Sequence, residues 1–190
     1  LERRDVEIYS PAEAQKLLAA AQQAGPEMLV YISLAAFAGV RPHEIAGTEE
    51  HPGLDWKDIG ATSIKVPANV AKNKRSRTIA LQPNLAALLA PHRQTSGAVC
   101  PGLLPQEVSL QLSTAAGVRW IHDGLRHSFS SYRAVQAGHL VACKENGDTL
   151  QVFDRHYLTR EPVSQEQAEA YFALGLPAAN TVQFPVANAG

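Results

Sequence analysis

Apolar and polar positions divide the chain into short amphipathic segments punctuated by Gly and Pro. Ser10-Pro11-Ala12-Glu13 supplies a capping Ser, a Pro at the first helical position and a Glu three residues after the cap. It predicts a helix whose apolar positions continue to Ala24 and which Gly25-Pro26 stops. The next helix, Glu27 to Ala38, is almost wholly apolar (MLVYISLAAFA), as a central core helix would be, and Gly39 ends it. Gly47 to Gly53 reads as a loop. Ser63–Val66 and Arg77–Leu81 read as short strands joined by a basic connection through Asn69 and Asn73. Helices are expected at Pro83–Ala90, Gln106–Ala115 and Gly124–Gln136, and further segments at Thr149–His156 and Ser164–Leu174. Pro177–Gly190 lacks periodicity and reads as an arm or tail. The expected fold is mainly α with a small antiparallel β-sheet (α+β). One domain is expected over 1–176 and a C-terminal tail over 177–190. The stripe Ala168, Tyr171 and Phe172 leaves two roles open for the last helix: closing the core, or docking on a neighbouring copy.

Composition narrows the class. Of 190 residues, 45% are hydrophobic and 18% charged, which is ordinary for a globular domain. No apolar run is long enough to span a membrane, and LERRDVEIYS has no signal-peptide pattern, so a cytoplasmic protein is expected. The start without Met suggests a fragment. Cys100 and Cys143 lie far apart and offer neither a disulfide nor a zinc framework. The net charge of −1 argues mildly against a nucleic-acid partner, but cations act where they are concentrated. Lys65, Lys72, Lys74, Arg75 and Arg77 follow one another with no acid between them, while Glu49, Glu50, Asp55, Asp58 and Glu161–Glu169 carry acids. By itself, such a run describes a solvated basic hairpin.

Four stretches supply what phosphoryl transfer without a metal would need. In Gly39-Val40-Arg41-Pro42-His43-Glu44-Ile45, Arg41 emerges from the end of a rigid helix, and its planar fork suits phosphate oxygens. Glu44 is placed to orient it from behind. In Ala71-Lys72-Asn73-Lys74-Arg75-Ser76-Arg77, a hairpin Lys can protonate a leaving hydroxyl. In Trp120 to Tyr132, Leu125 and Phe129 face the core while Arg126 lies beside a helix N-terminus, where anions are favoured. His127 reads as a structural histidine packed beneath the site. The fourth stretch, Val152-Phe153-Asp154-Arg155-His156-Tyr157-Leu158, offers a phenol. A free phenol, with a pKa of ~10, needs neighbouring cations to become a nucleophile.

Together, "AFAGVRPHEIAG…LDWKDI", "VAKNKRSRTIAL", "DGLRHSFSSY" and "FDRHY" resemble the tyrosine recombinase (phage integrase) family in order and spacing, from about Tyr9 to Leu176. The resemblance implies a catalytic domain in which Arg41 and Arg126 hold the scissile phosphate. It implies Lys72 as general acid for the 5′-oxygen, with Lys74 as the fallback, and Tyr157 as the nucleophile of a 3′-phosphotyrosyl link. Neither cofactor nor metal is implied. The implied partners are double-stranded DNA, contacted by Lys65, Lys74, Arg75, Arg77 and His122, and further copies in a tetramer on DNA. A preceding DNA-binding domain, absent from this chain, and a bacterial or phage source are also implied.

Two positions depart from the pattern. Asp123 stands three residues before Arg126, and Asp148 nine before Tyr157, where the family often has histidines as base and phosphate donor, so the resemblance makes both candidate catalytic positions. The literal Gly138-His139 pair is 18 residues from Tyr157. Thr48–Gly53 is longer than the tighter connection of the family. The alternatives are a recombinase-fold DNA-binding module with impaired chemistry, and a helical interaction domain or hydrolase with metal at His122 and His127. The spacing of those two histidines suits one helical face poorly.

Overall fold

A computed structural model describes residues 6–159 and 161–176. The tail expected at 177–190, and with it the domain boundary at 176, lies outside the described residues. Helix α1 (Pro11–Ala24) begins at the anticipated capping box, Ser10 Oγ accepting from the Glu13 N–H and Glu13 answering to the Ser10 N–H. Gly25-Pro26 ends it, yet Pro26 also opens α2 (Pro26–Ala38), because Pro suits the first helical position. From Met28 to Ala38 every residue of α2 is buried. This helix is the centre of the core, with α1, α4 (Pro83–Leu89) and α6 (Gly124–Ala137) packed on it. Strands β1 (Ser63–Val66) and β2 (Arg77–Ala80) pair antiparallel, Ser63 opposite Ala80 and Val66 opposite Arg77. Helix α5 (Pro105–Ala116) packs on α1.

Two helices depart from the expected pattern. Helix α3 (Pro42–Ala46) carries the residues after Arg41. Helix α7 (His139–Asn146) fills the interval after α6, between Gly138 and Gly147. Both are too short for a 3.6-residue period to stand out, and α7 has apolar residues on more than one side. Helices α8 (Leu150–His156) and α9 (Gln165–Phe172) occupy the expected segments. In the single chain, the apolar stripe of α9 packs on the core. Ala168, Tyr171 and Phe172 are buried, Tyr171 stacks on Tyr132 at 4.3 Å, and its hydroxyl donates to the Ala36 carbonyl at 2.9 Å. No helix among the described residues is long and apolar enough to cross a membrane.

Candidate active site

The site begins where α2 ends. Gly39 caps it in the left-handed conformation (φ 58°), and a Cβ there would collide with the Phe129 ring. The turn releases the Gly39 carbonyl, which accepts from Arg126 Nη1, and delivers Arg41 two residues later. Arg126, on the first turn of α6, is 3% exposed and also donates from Nη2 to the Asn146 carbonyl at 2.7 Å. Burial, and then the neighbouring Arg41, lower its pKa to about 10, which leaves it charged at neutral pH. Ser130, one turn on, holds the same corner through the Arg126 carbonyl (2.8 Å) and Asn146 Oδ1 (3.2 Å).

Tyr157 closes α8, its N–H donating to the Phe153 carbonyl at 3.0 Å. Arg41 Nη2 donates to Tyr157 Oη at 3.1 Å, and the Arg126 guanidinium carbon lies 4.9 Å from the centre of the Tyr157 ring. Three groups from three remote stretches of sequence therefore meet. A cleft of about 540 Å³ opens over them, lined among others by Arg41, His43, Lys72, His122, Asp123, Arg126 and Tyr157. Lys72 is exposed, on the connection between β1 and β2. Asp123 precedes α6 with φ 54°, a left-handed conformation uncommon for a residue other than glycine. Its carboxylate lies 3.6 Å from the imidazole of the exposed His122. Burial lowers the pKa of His43.

Asp148 lies between the arginines. Its Oδ2 is 3.3 Å from Arg41 Nη2 and 3.1 Å from Arg126 Nη2. The count back from Tyr157 thus reaches a residue in the site. The literal Gly138-His139 pair instead opens α7, with His139 3.6 Å from Asp154.

The basic run divides. Lys65, Lys74 and Arg75 are exposed and lie outside the cleft lining. Arg77, expected beside them on a DNA-facing surface, is corrected: as the first residue of β2 it points inward. Its Nη1 and Nη2 grip Glu44 at 2.9 and 2.5 Å, and Nε donates to the Glu145 carbonyl at 3.1 Å. Glu44 does touch Arg41, at 3.5 Å, but its principal partner is Arg77.

Sequence reasoning missed Asn146 and Glu145, which stand on the unforeseen α7. Glu145 receives Arg133 at 2.8 and 3.0 Å and the Ala80 N–H at 3.1 Å, tying α6 to the sheet. It also missed Ser131, whose hydroxyl donates to the Tyr157 carbonyl at 3.4 Å and accepts from the Thr159 N–H at 3.2 Å. His127 packs edge-on to the Tyr157 ring at 5.8 Å, with Nδ1 buried and unpartnered among the described residues. It is turned inward while His122 is exposed. No three His, Cys, Asp or Glu side chains gather as metal ligands among the described residues.

The fold is that of the tyrosine recombinase catalytic domains. The chain is similar to the crystal structure of XerA recombinase with a TM-score of 0.64 at 14% identity, over 87% of this chain and 64% of that one. It is similar to the XerH site-specific recombinase, solved bound to palindromic difH substrate as a post-cleavage complex, with a TM-score of 0.55 at 16% identity, over 79% and 49%. The chain thus spans less than two thirds of the length of either neighbour. No family model and no curated protein sequence matches it.

Proposed function

We propose that the chain is the catalytic module of a site-specific DNA recombinase or integrase, which cleaves and rejoins duplex DNA through a 3′-phosphotyrosyl intermediate. The observation that carries this reading is the 3.1 Å contact of Arg41 with the Tyr157 hydroxyl, against the buried Arg126, in a cleft shared with Lys72. Two guanidinium groups suit the non-bridging oxygens of a phosphodiester and the charge that builds on them in the transition state. Tyr157 Oη attacks phosphorus, the P–O5′ bond breaks, and Lys72 protonates the departing 5′-oxygen. Asp123, in the same cleft, is the carboxylate we assign to accept the phenolic proton. Rejoining reverses these steps, since the phosphotyrosyl ester retains the energy of the bond it replaced.

Duplex DNA is the substrate we assign, with Lys65, Lys74, Arg75 and His122 along its path and a tetramer on DNA as the working assembly. The DNA-bound state of the XerH neighbour favours that substrate. The module we assign extends over residues 1–176. Incubation with a nicked suicide duplex should trap a covalent protein–DNA adduct in the native chain and none in Tyr157→Phe. An adduct surviving that substitution would remove Tyr157 from the role.

A second reading, a DNA-binding module with impaired chemistry, is favoured by one observation: the Asp148 carboxylate lies on both arginines. It expects salt-sensitive duplex binding without an adduct, and recovery of cleavage when Asp123→His and Asp148→His are combined.

A further inference from the structure

One oxygen of Asp148 collects donors from three side chains: Arg126 Nη2 at 3.1 Å, Arg41 Nη2 at 3.3 Å and Asn146 Nδ2 at 3.3 Å. The two arginine nitrogens are the atoms a phosphodiester oxygen would need. Arg126 is buried, and the Gly39 and Asn146 carbonyls that hold its two terminal nitrogens carry no full charge, so the carboxylate that meets Nη2 is what balances this cation at close range. A second anion cannot share that place with a carboxylate, because like charges a few Å apart in a part-buried site repel strongly.

We propose that Asp148 is an internal anion that fills the two-arginine seat in the DNA-free chain, so that the seat rejects free phosphate and opens only to phosphate carried on a duplex. The inference rests on the reading of Arg41 and Arg126 as a phosphate seat, and it concerns which anion gains entry. Asp148 is tethered beside its arginines, so it competes as a ligand at high effective concentration. A free anion brings no compensating contact. A duplex does, because its neighbouring phosphates reach the exposed Lys72, Lys74 and Arg75.

The local backbone suits a side chain that leaves while its main chain stays. Asp148 lies between Gly147, which ends α7 in the left-handed conformation (φ 78°), and Thr149, which caps α8. Its N–H donates to the Cys143 carbonyl at 3.3 Å and its own carbonyl accepts from Cys143 Sγ at 3.1 Å. Rotation about the Asp148 side chain therefore breaks no helical hydrogen bond.

Titration with inorganic phosphate, followed by calorimetry, tests the proposal on the full chain. The native protein should bind phosphate at least about tenfold more weakly than Asp148→Asn. Adding Arg41→Gln to Asp148→Asn should abolish the gain. On duplex DNA, Asp148→Asn should bind more tightly, with a salt slope no shallower than native. Equal or weaker phosphate binding by a folded Asp148→Asn overturns the proposal. So does failure of both Asp148→Asn and Asp148→Ser to fold, because a carboxylate the fold cannot release cannot be displaced by DNA. The suicide-substrate assay separates this inference from the functional reading. Gained phosphate binding without any adduct sinks the recombinase chemistry alone, and an adduct without the gain sinks the internal anion alone.

Discussion

The Glu44 carboxylate is approached from several directions at once. Arg77 holds both oxygens, the Arg41 N–H donates at 3.0 Å, and the Lys72 N–H donates at 3.4 Å. A single side chain thus fixes the backbone at two of the proposed catalytic positions, in addition to its contact with the Arg41 guanidinium. Burial alone would raise its pKa, but the bonds and charge of Arg77, with help from Arg41, overcome that and hold it at about 2. Breaking a buried pair by removing one charge leaves the other stranded, which costs about 3–5 kcal/mol. Glu44→Gln should lose stability of that order in urea unfolding at neutral pH. The folded pKa lies below the ordinary 4.5, so the contribution of Glu44 is complete above that value and fades as pH falls toward 2. The gap between the native chain and Glu44→Gln should therefore shrink across that acid window. A gap independent of pH would show that the charge of Glu44 is not what the fold uses.

At the scale of elements, the Tyr157 segment is fastened to α6 rather than to its own neighbours alone. Ser131 bonds the tyrosine's own carbonyl and the Thr159 N–H that follows it, and His127, one turn earlier on the same face, packs against its ring. Ser131→Ala should leave duplex affinity unchanged and slow adduct formation by about tenfold or more, because small displacements of a reacting group are costly. A parallel fall in affinity would mark Ser131 as merely structural, and Ser131→Thr, which keeps the hydroxyl, should restore the rate. The same elements show what a sequence can carry. Ser10 with Glu13, Gly39 after an apolar run, and the alternation in Ser63–Val66 are local signals, and each produced its element. Arg41, Arg126 and Tyr157 stood out as candidates because each sits near a punctuated element end, and the fold brings their side chains together. Helix α7 was not legible: His139–Asn146 lies between glycines, and its value is in partners far along the chain, Arg133 and Ala80 for Glu145, Arg126 for Asn146. The inward turn of Arg77 was hidden for the same reason. Only the register opposite Val66 and the depth of Glu44 decide which way it points.

For the whole molecule, a net charge of −1 means that attraction to DNA must come from placement rather than from total charge. The basic run from Lys65 to Arg77 contains both kinds of cation. Lys74 and Arg75 are exposed on a connection that Asn73 ties to the Gly147 carbonyl at 2.7 Å, beside the candidate site. Arg77 is internal, committed to Glu44 and Glu145. Each cation that meets a phosphate adds about 0.9 to the slope of log affinity against log salt. Replacing Lys74 and Arg75 together by Ala should therefore flatten that slope by roughly two and weaken binding to every duplex alike, without changing the melting temperature appreciably. Arg77→Ala should do the reverse. It strands Glu44, lowers the melting temperature, and leaves the salt slope of the fraction still folded where it was. Binding measured over a salt series, alongside thermal melts of the same samples, distinguishes the two. If removing Lys74 and Arg75 leaves the slope untouched, the duplex does not pass over this connection, and the basic run serves only the fold.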